Sequence, residues 1–100
     1  MSGLNELIHQ SVRLRIMAAL TVLDPGKEVD FAYLRGLLEV TDGNLGAHLR
    51  KLEDAGYIAV SKTFVERKPR TFVAATVAGR HVFKAHTEAL KAILKQGRPK

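Results

Sequence analysis

One hundred residues, 46% of them hydrophobic and 6% aromatic with no Trp, suit a single globular domain whose core is built from Leu, Val, Ile and Ala. The absence of Cys excludes disulfides, thiolate zinc sites and cysteine nucleophiles, and is compatible with a reducing cytoplasm, where the chain is expected to work. A net charge of +6 favours a polyanionic partner, while the N-terminal stretch does not read as a secretory leader and no apolar run approaches the roughly 18 residues of a membrane span, so no membrane partner is expected.

Along the chain, Leu4, Leu7, Ile8, Val12, Ile16, Ala19, Leu20 and Leu23 trace one helical face through about the first two dozen residues, and Pro25-Gly26 stops it. Lys27-Glu28-Val29 is too short for an independent strand but can add an edge to a later hairpin. Asp30 is placed to cap a second helix with Phe31, Leu34, Leu37 and Leu38 on its apolar side. Glu39-Val40-Thr41-Asp42 breaks that pattern, and either Thr41 or Asp42 can cap a third helix. There Leu45, Leu49 and Leu52, extended by Ala55, form a stripe that must be buried. Asn44, His48 and Lys51 are expected to project together from an exposed strip opposite to it.

Gly56 reads as a left-handed terminator, with Tyr57 closing hydrophobically over the helix end. Ile58 to Val65 alternates with period two, Arg70 to Ala75 does so less clearly, and Glu66-Arg67-Lys68-Pro69 between them predicts a hairpin with a basic tip stiffened by Pro69. Thr76 can cap a final helix from about Val77 to Lys95. The order helix, short edge, helix, helix, hairpin, helix is that of a winged helix-turn-helix. The predicted class is α+β, mostly α, with a small antiparallel β-wing and a long C-terminal helix. Residues 1–96 are expected to form this one domain, with 97–100 as a disordered tail.

An apolar keel, a strip of hydrogen-bonding side chains and a basic hairpin close behind are the features of a helix that enters a DNA major groove. Asn44 can pair bidentately with adenine, and His48 and Lys51 can donate to guanine acceptors or to phosphates, so these are the expected base contacts. Thr41 and Gly43 at the helix start are expected at the DNA backbone, where free N–H groups can hold a phosphate. Arg50 is placed to brace the helix or to touch phosphate. On the wing, Lys62, Arg67, Lys68 and Arg70 suit the negative potential of a narrow minor groove or the backbone beside it. Leu4, Leu7, Val82, Phe83, His86, Ala89, Leu90 and Ile93 form a stripe broad enough to serve a two-fold dimer, which would present two reading helices to a pseudo-palindrome.

Local motifs narrow the fold further. His9 to Ile16 looks like the opening helix of MarR/ArsR-type regulators, and Asn44 to Ile58 closely resembles their recognition helix and the strand after it. Arg67-Lys68-Pro69-Arg70-Thr71 resembles their wing, and Thr76-Val77-Ala78-Gly79-Arg80 the entry to their last helix. The likeness extends over nearly the whole chain and is greatest to small stand-alone archaeal and bacterial regulators. Ser11 stands where that group often carries Pro. Gly43 and Gly46 depart from it in lowering helix propensity by roughly 1 kcal/mol each and offering no side chain to a base. The resemblance implies double-stranded DNA binding and transcriptional control; it supplies neither the operator nor a small-molecule effector.

Other functions are weaker readings of the same residues. His81 and His86 are five apart and diverge on a helix, so neither a metal site nor any other cofactor is expected. No nucleophile-base arrangement or phosphate-cradling loop points to catalysis. The main alternative is a winged helix used as a protein-protein adaptor without DNA binding, which should carry an apolar or acidic face where this chain carries polar and basic groups. A membrane-surface role for the basic amphipathic last helix is a weaker third.

Overall fold

The computed structural model describes residues 4–97. It comprises α1 (Ser11–Thr21), β1 (Val29–Asp30), α2 (Phe31–Leu38), α3 (Asp42–Asp54), β2 (Ile58–Val65), β3 (Lys68–Ala75) and α4 (Val77–Gln96). Of the expected tail, only Gly97, the C-cap of α4, lies among the described residues.

The first helix is shorter than its apolar spacing suggests. Residues 6–8 form a turn, and Asn5 Oδ1 accepts from the Ile8 N–H at 3.0 Å in place of a helical bond. Gln10 then caps α1 by accepting from Arg13 N at 2.9 Å. Ser11 is thus the first helical residue, a position where a Pro would cost no hydrogen bond. Ile8, Ile16 and Leu20, from the expected stripe, are fully buried although the backbone carrying them is partly non-helical, and Met17, which that stripe left out, is fully buried beside them.

The caps of the later helices follow from side-chain oxygens meeting free N–H groups. Asp30 accepts from Ala32 N and Tyr33 N, Thr41 from Asn44 N and Thr76 from Gly79 N. Between α2 and α3, Glu39 takes a left-handed conformation (φ 55°) that ends α2 and sets the tight turn. Leu34 and Leu38 are buried while Leu37, expected inside, is half exposed. Leu45, Leu49 and Leu52 enter the core, but Ala55 does not extend their stripe: it is the exposed C-cap. Gly56 is left-handed (φ 82°), as a helix terminator should be.

The sheet has the order β1-β3-β2, all antiparallel, so the short first strand adds its edge to the hairpin by pairing Val29 with Val73 and Asp30 with Phe72. In the hairpin Val65 pairs with Lys68, leaving a two-residue turn of Glu66 and Arg67, both with positive φ. Pro69 is therefore not in the turn. It lies within β3 opposite Phe64, beyond the reach of β1. Strand alternation puts that pair in the non-hydrogen-bonded position, where a missing N–H costs nothing.

α4 is held where it leaves the sheet. A Cβ at Gly79 would overlap the Tyr57 carbonyl oxygen, so only glycine lets the helix approach this closely. At the next residue, the Arg80 guanidinium donates to the carbonyls of Thr21 (3.2 Å), Leu23 (2.9 Å) and Asp24 (3.2 Å), satisfying the end of α1. The Thr76–Arg80 motif is therefore a joint between α4, α1 and the start of β2.

Candidate nucleic-acid interface

Counting about 100° per residue, the direction opposite the Leu45, Leu49 and Leu52 stripe is held by Gly43, Ala47 and Asp54, with Arg50 and Lys51 about 50° to either side of it. Asn44 and His48, expected there, lie further round on the Lys51 flank. Asn44 and Lys51 are exposed, and their side chains make no hydrogen bond or ion pair among the described residues. His48 differs from both. It is half-buried, and its Nδ1 accepts from Arg13 Nη1 at 3.0 Å, while Arg13 Nε donates to the Leu7 carbonyl at 2.6 Å. Burial, reinforced by the charges of Arg13 and Lys51, lowers the His48 pKa. His48 is thus a neutral acceptor bracing α3 against α1 rather than a free member of the exposed strip.

Of the backbone candidates, Thr41 spends its hydroxyl on capping α3, and Gly43 lies exposed in the first turn with open space around its Cα. Asp42, at the same helix end, pairs with Arg35 at 2.6 Å; both partners are substantially exposed, so the bond adds little stability.

The opposite flank of α3 faces the sheet. Gly46, Leu49, Arg50 and Glu53 form one wall of a cleft of about 300 Å³, and Val60, Lys62 and Thr71 form the other, with Phe31 also lining it. Paired residues in an antiparallel ladder share a face, so Val60, Lys62 and Phe64 lie with Val73, Thr71 and Pro69 on the sheet's inner face. Arg70 and Lys68 lie on the outer face, paired with Thr63 and Val65. The four wing cations are consequently not equivalent. Lys62 looks into the cleft across from Arg50, Arg67 occupies the turn and Lys68 adjoins it, whereas Arg70 is bound to Asp30 at 3.1 Å.

The residues expected to form a dimer face also divide. His86 is fully buried within its own chain: its Nδ1 accepts from the Asn5 backbone N–H at 3.0 Å and its Nε2 meets His9 Nδ1 at 3.3 Å. These partners fix the His86 proton on Nε2, and burial, followed by the nearby His9, lowers its pKa. His86 is therefore a core polar group and no interface residue. Val82, Phe83 and Leu7 pack against the core, and Leu4 is half-buried. Ala89 and Leu90 are half-buried, while Ile93 is 38% and Leu94 71% exposed, leaving an apolar edge near the end of α4. The histidines that meet are His9 and His86, rather than His81 and His86; among the described residues no group of three or more His, Cys, Asp or Glu could hold a metal ion. Among those residues, too, no helix is long and apolar enough to cross a membrane.

Arg13 and Phe64 escaped the residue-level reading. Arg13 is an arginine on an otherwise apolar helix, a weak signal in isolation; Phe64 is a strand aromatic that alternation alone would assign to the core.

A three-helix unit whose third helix is followed directly by an antiparallel hairpin has the architecture of the winged helix-turn-helix class of DNA-binding regulators. Residues 12–94 match the family described as "Winged helix DNA-binding domain", and the chain belongs to that family. An uncharacterised protein of Methanocaldococcus jannaschii is 35% identical over 79 residues, covering 79% of this chain and 83% of that one. The transcriptional regulator homologue protein of Pyrococcus horikoshii OT3 superposes with a TM-score of 0.82 at 33% identity, over 92% of this chain and 88% of that one. The MepR-DNA complex of S. aureus shares the fold with a TM-score of 0.74 at 14% identity, over 91% of this chain and 72% of that one. The winged helix-turn-helix expected from the sequence is thus met in family and in fold.

Proposed function

We propose that the protein is a sequence-specific regulator that lays α3 in the major groove of double-stranded DNA and its wing on the neighbouring minor groove or backbone. The observation that carries this reading is the cleft between α3 and the wing, where Arg50 on one wall faces Lys62 on the other. A sugar-phosphate strand running over that cleft would separate the groove read by α3 from the groove beside the wing. Asn44 and Lys51 are free to reach base edges, Gly43 and Arg50 face the backbone, and Arg67 and Lys68 extend the contact at the tip. Thr41 contributes by holding the first turn of α3, and Arg70 by setting the wing through Asp30.

Such an interface works as a homodimer, because one small domain neutralises few phosphates. Ala89, Leu90, Ile93 and Leu94 on the free half of α4 are the surface we assign to the partner copy. Selection of sites from random duplexes, followed by titration at several salt concentrations, tests the reading. Asn44→Ala should cost roughly 1–3 kcal/mol at the selected site and relax preference at one position. A wild-type chain with no duplex affinity at low salt would favour the adaptor reading instead.

A further inference from the structure

Phe64 is 74% exposed, although a phenylalanine in a strand gains most by burial. It lies on the wing's inner face, two residues beyond Lys62 and opposite Pro69, so ring and pyrrolidine form a small apolar platform next to the turn. Cations unpaired among the described residues lie close to it, Lys62 on the same face, Arg67 beside Glu66 in the turn and Lys68 next to the turn on the outer face, while Arg70 is taken up by Asp30. A purely apolar partner would have to desolvate those charges, and a second copy of the wing would be repelled by them. A nucleic-acid duplex satisfies both requirements, because phosphates flank apolar deoxyribose edges along the walls of the minor groove.

Resting on the duplex reading above, we infer that Phe64 is a DNA-contacting residue that packs its ring against deoxyribose at the edge of the minor groove, beside the phosphates held by Lys62 and Arg67. The contact is non-ionic, so it releases no counterions and its contribution does not vary with salt. It anchors the wing on any duplex and leaves base preference to α3.

The test is the affinity of the full chain for a fluorescently labelled duplex carrying the selected site, measured across a salt series for wild type, Phe64→Ala, Phe64→Leu and Arg67→Ala. Phe64→Ala should bind about tenfold more weakly at every salt concentration, the equivalent of about 1.4 kcal/mol, with the wild-type salt slope and unchanged circular dichroism. Phe64→Leu should recover most of the loss, whereas Arg67→Ala should flatten the slope by about 0.9. Wild-type duplex binding with an unaltered Phe64→Ala affinity overturns the inference and leaves the duplex reading standing. So does a Phe64→Ala loss that disappears at high salt, or one seen on anionic vesicles but not on duplex. Failure of the wild type to bind any duplex overturns both.

Discussion

Replacing Arg67 by glycine should make the fold more stable and its complex with DNA weaker. In the two-residue turn of the wing, Glu66 and Arg67 have φ of 51° and 68°. Such turns favour Asn-Gly because the left-handed region costs an ordinary L-residue about 1–2 kcal/mol. Glycine escapes that cost but gives back about 0.5–1 kcal/mol through the larger entropy of its unfolded chain. The difference is a net stabilisation of about 0.5–1 kcal/mol, or a rise in Tm of a few degrees, roughly 2–6 °C, for a domain of this size. On DNA the same change removes one cation, so Kd should rise roughly tenfold and the slope of log K against log salt should fall by about 0.9. Thermal melting followed by circular dichroism and a salt series of duplex titrations measure the two effects in one preparation. An Arg67→Gly protein that melts below the wild type, or that binds duplex with the wild-type affinity and slope, would refute this expectation. In the second case the turn strain would have no counterpart in binding.

Three further outcomes concern the scaffold. Gly79→Ala should lose about 3 kcal/mol in urea denaturation, because the added methyl group meets the Tyr57 backbone rather than a side chain able to move aside. Arg80→Met keeps the apolar stem but orphans carbonyls at the end of α1, and should cost about 1–3 kcal/mol; a loss under about 0.5 kcal/mol would mean that water replaces the guanidinium. Burial and His9 hold the His86 pKa below its ordinary value, so as the pH falls the unfolded chain takes up this proton first. Stability from His86 is then complete above about pH 6.5 and declines toward the folded-state pKa, by at most about 1.4 kcal/mol per pH unit. His86→Asn, which retains an acceptor for the Asn5 N–H but cannot titrate, should show a shallower decline in denaturation midpoints between about pH 7 and pH 5, with His48 supplying a remainder of the same sign. Identical slopes for the two proteins would assign the decline to other groups.

The elements of the fold were legible because their signals are local. A cap and the N–H groups it serves lie within three residues of each other at Asp30, Thr41 and Thr76, and the leucine stripe of α3 announces its buried side through its spacing. The candidate site was legible only to the level of its elements. Whether a polar side chain on α3 is free depends on what reaches it from elsewhere: Arg13 meets His48 from 35 residues away, and the Asn5 backbone takes up His86 from 81 residues away. Neither pairing has a period or a neighbouring motif to betray it. The early apolar residues mislead in another way, since Ile8 enters the core from a turn that the spacing treats as helix.

Asp30 shows how such long-range bonds bear on the interface. Its side chain caps α2 through the N–H groups of Ala32 and Tyr33, its backbone pairs with Phe72 in the sheet, and its second carboxylate oxygen holds Arg70. A carboxylate so placed draws Arg70 to the outer face of the wing and offsets its charge, so counting basic residues overstates what the hairpin can offer a phosphate. The ion pair also ties the wing to the start of α2, and thus to the helix-turn-helix whose third helix forms the other wall of the cleft. Arg70 thus fixes the attitude of the wing, and the cations that the hairpin leaves unpaired among the described residues are Lys62, Arg67 and Lys68.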